Sequence, residues 1–101
     1  MPMFIYNVTI NVDADVHEPW VKWMKEIHMP EVMKTGCFID NQLLEVLYVE
    51  DSGHTYSAQY KFLEIRDIEK YMKDFAPALQ ADHKKQFGDK FTAFRTVLQI
   101  L

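Results

Sequence analysis

The residues best equipped for chemistry are an imidazole close to a proline, three tyrosines and one arginine. His28 stands in the run His28-Met29-Pro30. On a helical wheel with Trp20 at zero it falls at about 80°, at the edge of an apolar stripe and near a helix C-terminus, whose dipole favours imidazolium. A histidine so placed can act as general acid or base on a ligand held against Trp20, Met24 and the tyrosines. It can equally cap the helix by binding a carbonyl freed at Pro30. Tyr6, Tyr56 and Tyr60 can lend hydroxyls to a mainly apolar pocket, or serve as core aromatics whose hydroxyls reach the surface. Arg95 shares its side of the last strand with Ala93 and Val97. If partly buried there it needs an anion, either a ligand carboxylate or a structural partner such as Glu45. His28 is thus the catalytic candidate, and Tyr6, Trp20, Met24, Tyr56, Tyr60 and Arg95 are the ligand-binding candidates.

Other chemistries find less support. His17 and His28 are eleven residues apart on one expected helix, so about 16 Å separates them along its axis and they cannot share a metal ion. His54 begins a strand and reaches another histidine only through tertiary contact. No HxH, HExxH or CxxC spacing occurs, and no phosphate-cradling glycine loop or serine elbow. No metal and no cofactor are expected. Cys37, the one cysteine, reads as a buried small hydrophobe. His83, with Asp82, reads as part of a solvated helix face.

These residues need elements to hold them. Phe4, Tyr6, Val8, Ile10 and Val12 form one apolar row, with Ile5, Asn7, Thr9 and Asn11 between them, which predicts a strand with one buried face. The period then changes. Asp15 as N-cap with Glu18 three residues later predicts a helix start, and Val16, Trp20, Trp23, Met24 and Ile27 fall on one stripe. Pro30 ends or kinks this helix near His28, with a short further turn before Gly36. Phe38 to Glu50 reads as extended, Glu50-Asp51-Ser52-Gly53 as a turn, and His54 to Phe62 as alternating again, so residues 43–63 make an antiparallel hairpin. A second helix begins near Asp67, carries Ile68, Tyr71, Met72, Phe75 and Leu79, breaks or kinks at Pro77 and stops at Gly88. Phe91 to Leu101 is the last strand.

The chain has 101 residues, 49% of them hydrophobic and 26% charged, enough for one core over residues 1–101. A formal charge of −4 opposes phosphate neutralisation, so nucleic acid is not an expected partner. No apolar run reaches the roughly 20 residues of a membrane span, and Met1-Pro2-Met3-Phe4 has no basic segment ahead of an apolar one, so the expected place is the cytoplasm. A βαββαβ order with right-handed crossovers predicts an α+β fold, the ferredoxin-like sandwich, with a four-stranded antiparallel sheet and two helices on one face. Its other face is uncovered and would carry Ile5, Asn7, Thr9, Asn11, Thr55, Ser57, Gln59 and Lys61. A homodimer packed sheet against sheet covers it economically, and there Asn7, Thr9 and Gln59 meet the partner.

The runs Ile5-Tyr6-Asn7-Val8-Thr9, Trp20-Val21-Lys22-Trp23-Met24, His28-Met29-Pro30-Glu31-Val32 and Gly36-Cys37-Phe38 resemble the family called domain of unknown function 4286. Thr55-Tyr56-Ser57-Ala58-Gln59-Tyr60 and Phe91-Thr92-Ala93-Phe94-Arg95-Thr96 extend the resemblance over essentially the whole chain. That family has no established activity. At a wider distance, an aromatic helix ending in His28-Met29-Pro30 is similar to EthD-type members of the dimeric α+β barrel superfamily. This implies a homodimer whose cleft between sheet and helices takes a small, largely apolar molecule. It also implies, as alternatives, cofactor-free acid/base catalysis of the isomerase, cyclase or monooxygenase type through His28, or a non-catalytic interaction protein.

Overall fold

The computed structural model describes residues 3–50 and 52–101. The elements run β1 (Met3–Val12), α1 (His17–Trp23), a π-helical turn (Met24–His28), α2 (Met29–Lys34), β2 (Asp40–Glu45), β3 (His54–Phe62), α3 (Ile65–Asp74), α4 (Ala76–Phe87) and β4 (Phe91–Ile100). The four strands lie in the order β2-β3-β1-β4, each antiparallel to its neighbour. This is the ferredoxin-like α+β arrangement that the period changes predict. Among the described residues, no helix is long and apolar enough to cross a membrane.

The core lies between one sheet face and the helices. Tyr6, Ile10 and Val12 of β1 and Ala58, Tyr60 and Phe62 of β3 are buried against Trp20, Met24, Met29, Val32, Ile68, Tyr71 and Leu79 of the helices. The opposite sheet face carries a continuous chain of side-chain hydrogen bonds. Gln42 donates to Gln59, Gln59 to Ser57, Ser57 to Asn7, and Asn7 to Thr96 and Thr9, so the chain crosses all four strands. Beside this polar band lie exposed apolar side chains: Phe94, Leu98 and Ile100 on β4 and Leu44 on β2.

Local departures from the expected pattern have physical causes. Helix α1 starts after Val16, which gives no side-chain cap, so the expected Asp15–Glu18 capping box is absent. Asp15 instead accepts a bond at 3.1 Å from Lys90, which lies just ahead of β4 beside the end of β1. A genuine capping box opens α3, where Glu64 and Asp67 satisfy each other's backbone N–H groups. The kink expected at His28 takes the form of a π turn. Pro30 has no N–H to give the carbonyl four residues back, and Met29 N–H bonds five residues back to Met24. The five-residue step carries Met29 into the core behind Met24 and throws Ile27 outward to 49% exposure, so Ile27 leaves the predicted buried stripe. Met72, also expected inward, is exposed.

The strand predicted over residues 38–50 is shorter. Pairing with β3 runs from Asp40 to Glu45, and the last cross-strand bond is from Val46 N–H to Thr55 at 2.8 Å. Beyond it Tyr48 takes φ 59°, outside the extended region, and stands fully exposed. The expected turn is described apart from Asp51, which, like Met1 and Pro2, lies outside the described residues. Gly53 closes that loop at φ 81°, where a Cβ would sit 2.5 Å from the Val12 carbonyl oxygen.

Candidate functional site

Two helical segments and three strands bring polar groups together beneath the helices. The π turn brings His28 to the inner edge of its helix, half-buried. Helix α4 restarts at Ala76 after the break at Phe75, and the new phase puts Ala76, Leu79 and His83 on its buried face. Strand β1 contributes Tyr6, β3 contributes Tyr60, and β4 contributes Arg95. These residues, with Met24, Tyr71 and Gln80, line a chamber of about 30 Å³ between sheet and helices.

The chamber is strongly desolvated. Burial, with the Arg95 charge adding to it against Asp82, pushes the His28 pKa down to about 4. Burial and the neighbouring His28 push His83 down to about 3. Both rings are therefore neutral at pH 7. Burial raises the hydroxyls of Tyr60 and Tyr71 well above the ordinary tyrosine range, and raises Tyr6 as well against the opposing Arg95 charge, so all three stay protonated.

His83 is held from two sides. Trp20 Nε1–H donates to His83 Nε2 at 2.9 Å, and the imidazole stacks on Phe91 with ring centres 3.7 Å apart. An indole N–H can only donate, so Nε2 holds the lone pair and the proton of the neutral ring sits on Nδ1. His28 is looser. Its ring stacks on Trp23 at 4.9 Å, and among the described residues the hydrogen bonds to imidazoles are made by His17, His54 and His83, with none to His28. The helix-capping role open to it in the sequence is not the one it takes.

Of the predicted site residues, His28, Tyr6, Met24, Tyr60 and Arg95 meet at this chamber. Trp20 stands behind it as the donor to His83. Tyr56 does not reach it. The Tyr56 hydroxyl lies 3.0 Å from His17 Nδ1 in a separate groove of about 350 Å³ between α1 and β2. There His17 stacks on His54 at 3.6 Å, a contact between distant chain positions, and His54 lies 3.4 Å from Glu45. That groove is larger, but its histidines are already engaged with Tyr56 and Glu45. Among the described residues no group of three or more His, Cys, Asp or Glu is placed to hold a metal ion.

Two expectations are corrected here. His83 is not on a solvated face: it is 5% exposed. The sequence signal was the spacing Leu79, His83, Phe87 counted afresh from Pro77. Arg95 does not pair with Glu45, which lies on β2 at the opposite edge of the sheet beside His54. Nor is Arg95 partly buried; it is exposed at the chamber's margin, because β4 is an edge strand.

An outer cleft lies between the first helical region and α4. It measures about 230 Å³, is lined by Trp23, Ile27, Glu31, Asp82 and Lys85 among others, and shares His28 and Leu79 with the inner chamber. Those two side chains border both spaces.

A family model described as "Domain of unknown function (DUF4286)" matches residues 3–101. The chain belongs to this family. No curated protein matches this DUF4286 chain. Its fold is shared with solved structures of low identity. An EthD-family protein from Bacillus halodurans superposes with a TM-score of 0.68 at 12% identity, covering 92% of this chain and 96% of the other. A Bordetella bronchiseptica protein provisionally assigned as an antibiotic biosynthesis monooxygenase gives 0.70 at 15% identity, covering 100% and 97%. A dimeric ferredoxin-like protein from an uncultured marine organism gives 0.68 at 14% identity, covering 100% and 97%. For this DUF4286 chain the likeness speaks to fold alone.

Proposed function

We propose that this protein is a homodimer that binds a small, largely apolar molecule in the cleft between sheet and helices of each protomer. The observation that carries the reading is the convergence of His28, His83, Arg95 and three tyrosines on one desolvated chamber that Val8, Ile10, Met24, Ala58 and Leu79 also line. Alone the chamber has room for about two water-sized atoms. With the outer cleft beyond His28 and Leu79 the space approaches that of a small organic molecule. Among the described residues the His28 ring makes no hydrogen bond and rests on Trp23 and His83 by ring contact alone, so a swing of this ring would join the two. The ring's lone pair, uncommitted to protein, supports acid/base catalysis as a second reading, which requires a bound ligand to raise the His28 pKa from about 4 toward neutrality.

The dimer reading rests on the open sheet face. Phe94 is 62% exposed there, next to Leu98 and Ile100, an apolar strip that a second copy would cover. One of the solved structures of like fold is described as dimeric. Native mass spectrometry of protein purified without a denaturing step tests both parts. The expected result is a dimer carrying a reproducible extra mass. A monomer at micromolar concentration overturns the dimer, and a dimer that never carries added mass, from extract or after incubation with small apolar molecules, overturns the ligand.

A further inference from the structure

The polar groups of the chamber are unbalanced in sign, and this narrows what can enter it. No aspartate or glutamate lines the inner chamber. Arg95 contributes a permanent positive charge and carries donors alone. Among the described residues it lies within ion-pair distance of no carboxylate, since the ion pairs present involve His54, Arg66 and Lys90. His83 has spent its acceptor on Trp20, so its remaining polar atom is an N–H. The tyrosine hydroxyls are protonated and can donate.

The outer cleft has the opposite character. Glu31 and Asp82 lie on it, against Lys85, beside the apolar Trp23, Ile27 and Leu79. An anionic group is therefore repelled at the acidic wall and drawn to the inner end, where the unmatched guanidinium lies. The size agrees. The inner chamber takes about two water-sized atoms, which is the demand of the two oxygens of a carboxylate, and the outer cleft has room for a ring.

We propose that the ligand is an organic monocarboxylate with a flat apolar body, its carboxylate seated in the inner chamber against Arg95 and His83 Nδ1–H and its body in the outer cleft beside Trp23. This rests on the cleft-binding reading above and adds the charge and orientation of the ligand. Arg95 and the Trp20–His83 pair then determine specificity. His28, between the two spaces, lies alongside the carbon that bears the carboxylate.

Benzoate and its uncharged isostere benzamide are the probes, titrated against the intact protein by calorimetry at pH 7.5 and low salt. The expected result is that benzoate binds at least tenfold more tightly than benzamide, and that Arg95→Met abolishes this preference while Arg95→Lys retains part of it. Arg95 is exposed, so these variants fold. Trp20→Phe removes the donor that fixes the His83 tautomer, and a narrower benzoate preference there, with the fold intact by circular dichroism, supports the orientation. Equal affinity for the two probes, or an undiminished benzoate preference in Arg95→Met, overturns the proposal and leaves the cleft reading standing. Failure of both probes to bind overturns the proposal together with the cleft reading for ligands of this size.

Discussion

His28 and His83 are neutral because water has been taken from them, and that has a consequence for stability. The unfolded chain titrates a histidine near pH 6.5, whereas the native rings titrate near 4 and 3. As pH falls below about 6.5 the unfolded state takes up protons that the native state refuses. Stability from these rings is complete above that value, declines as pH falls, and stops declining once the native pKa values are passed. Urea unfolding at pH 7 and pH 4.5 is expected to show a loss on the order of 2 kcal/mol per ring. His28→Gln, which removes one titrating group, shows a smaller loss; an equal loss would mean that His28 is not desolvated. At this scale the sequence was partly legible. Tyr6, Met24, His28 and Tyr60 could be chosen by type and stripe, whereas His83 could not, because its burial depends on where helix α4 begins and its bond to Trp20 spans 63 residues.

The elements were legible wherever one period held for a whole segment. β1 and β3 follow their alternation, α3 follows its stripe at Ile68 and Tyr71 though not at Met72, and the break at Pro77 is where it was expected. What the period could not show was the extra residue in the first helical region. A wheel drawn at 100° per residue puts Ile27 with Trp20 and Met24, but the π turn gives that place to Met29. Met29→Ala is therefore expected to cost about 2–5 kcal/mol, the usual range for a buried side chain cut to alanine. Ile27→Ala should cost under about 0.5 kcal/mol, as exposed substitutions do. Denaturant midpoints decide between this register and an unbroken helix, which would reverse the two. The same logic explains the shortened β2. Apolar residues continue to Val49, yet Leu47 and Tyr48 have no strand to pair with once the ladder ends, so composition alone overstated its length.

For the molecule as a whole, the sheet has one face committed to the core and one that satisfies its polar groups within itself. The band from Gln42 to Thr96 pairs its polar groups within the sheet, so the proposed dimer would draw on the apolar strip beside it. Phe94→Asp puts a charge on that strip without touching the core. Sedimentation at micromolar concentration is expected to show a monomer for this variant and a dimer for the parent, with unchanged far-ultraviolet dichroism; a dimer in both would mean that another surface joins the copies. The fold class could be read from the order of period changes, but the hydrogen-bonded band could not, because its members come from four strands. The strand order carries one more consequence. Central strand β1 finds one neighbour in β3 and the other in β4, the last element of the domain. As the chain leaves the ribosome, β1 must therefore wait with a bare edge, through the synthesis of both helical regions, for residues 91–100 to close it. Nascent protein stalled before Phe91 is the species expected to be most exposed to aggregation and to capture by chaperones, because the β1–β4 pairing joins the two strands of the sheet most distant in sequence.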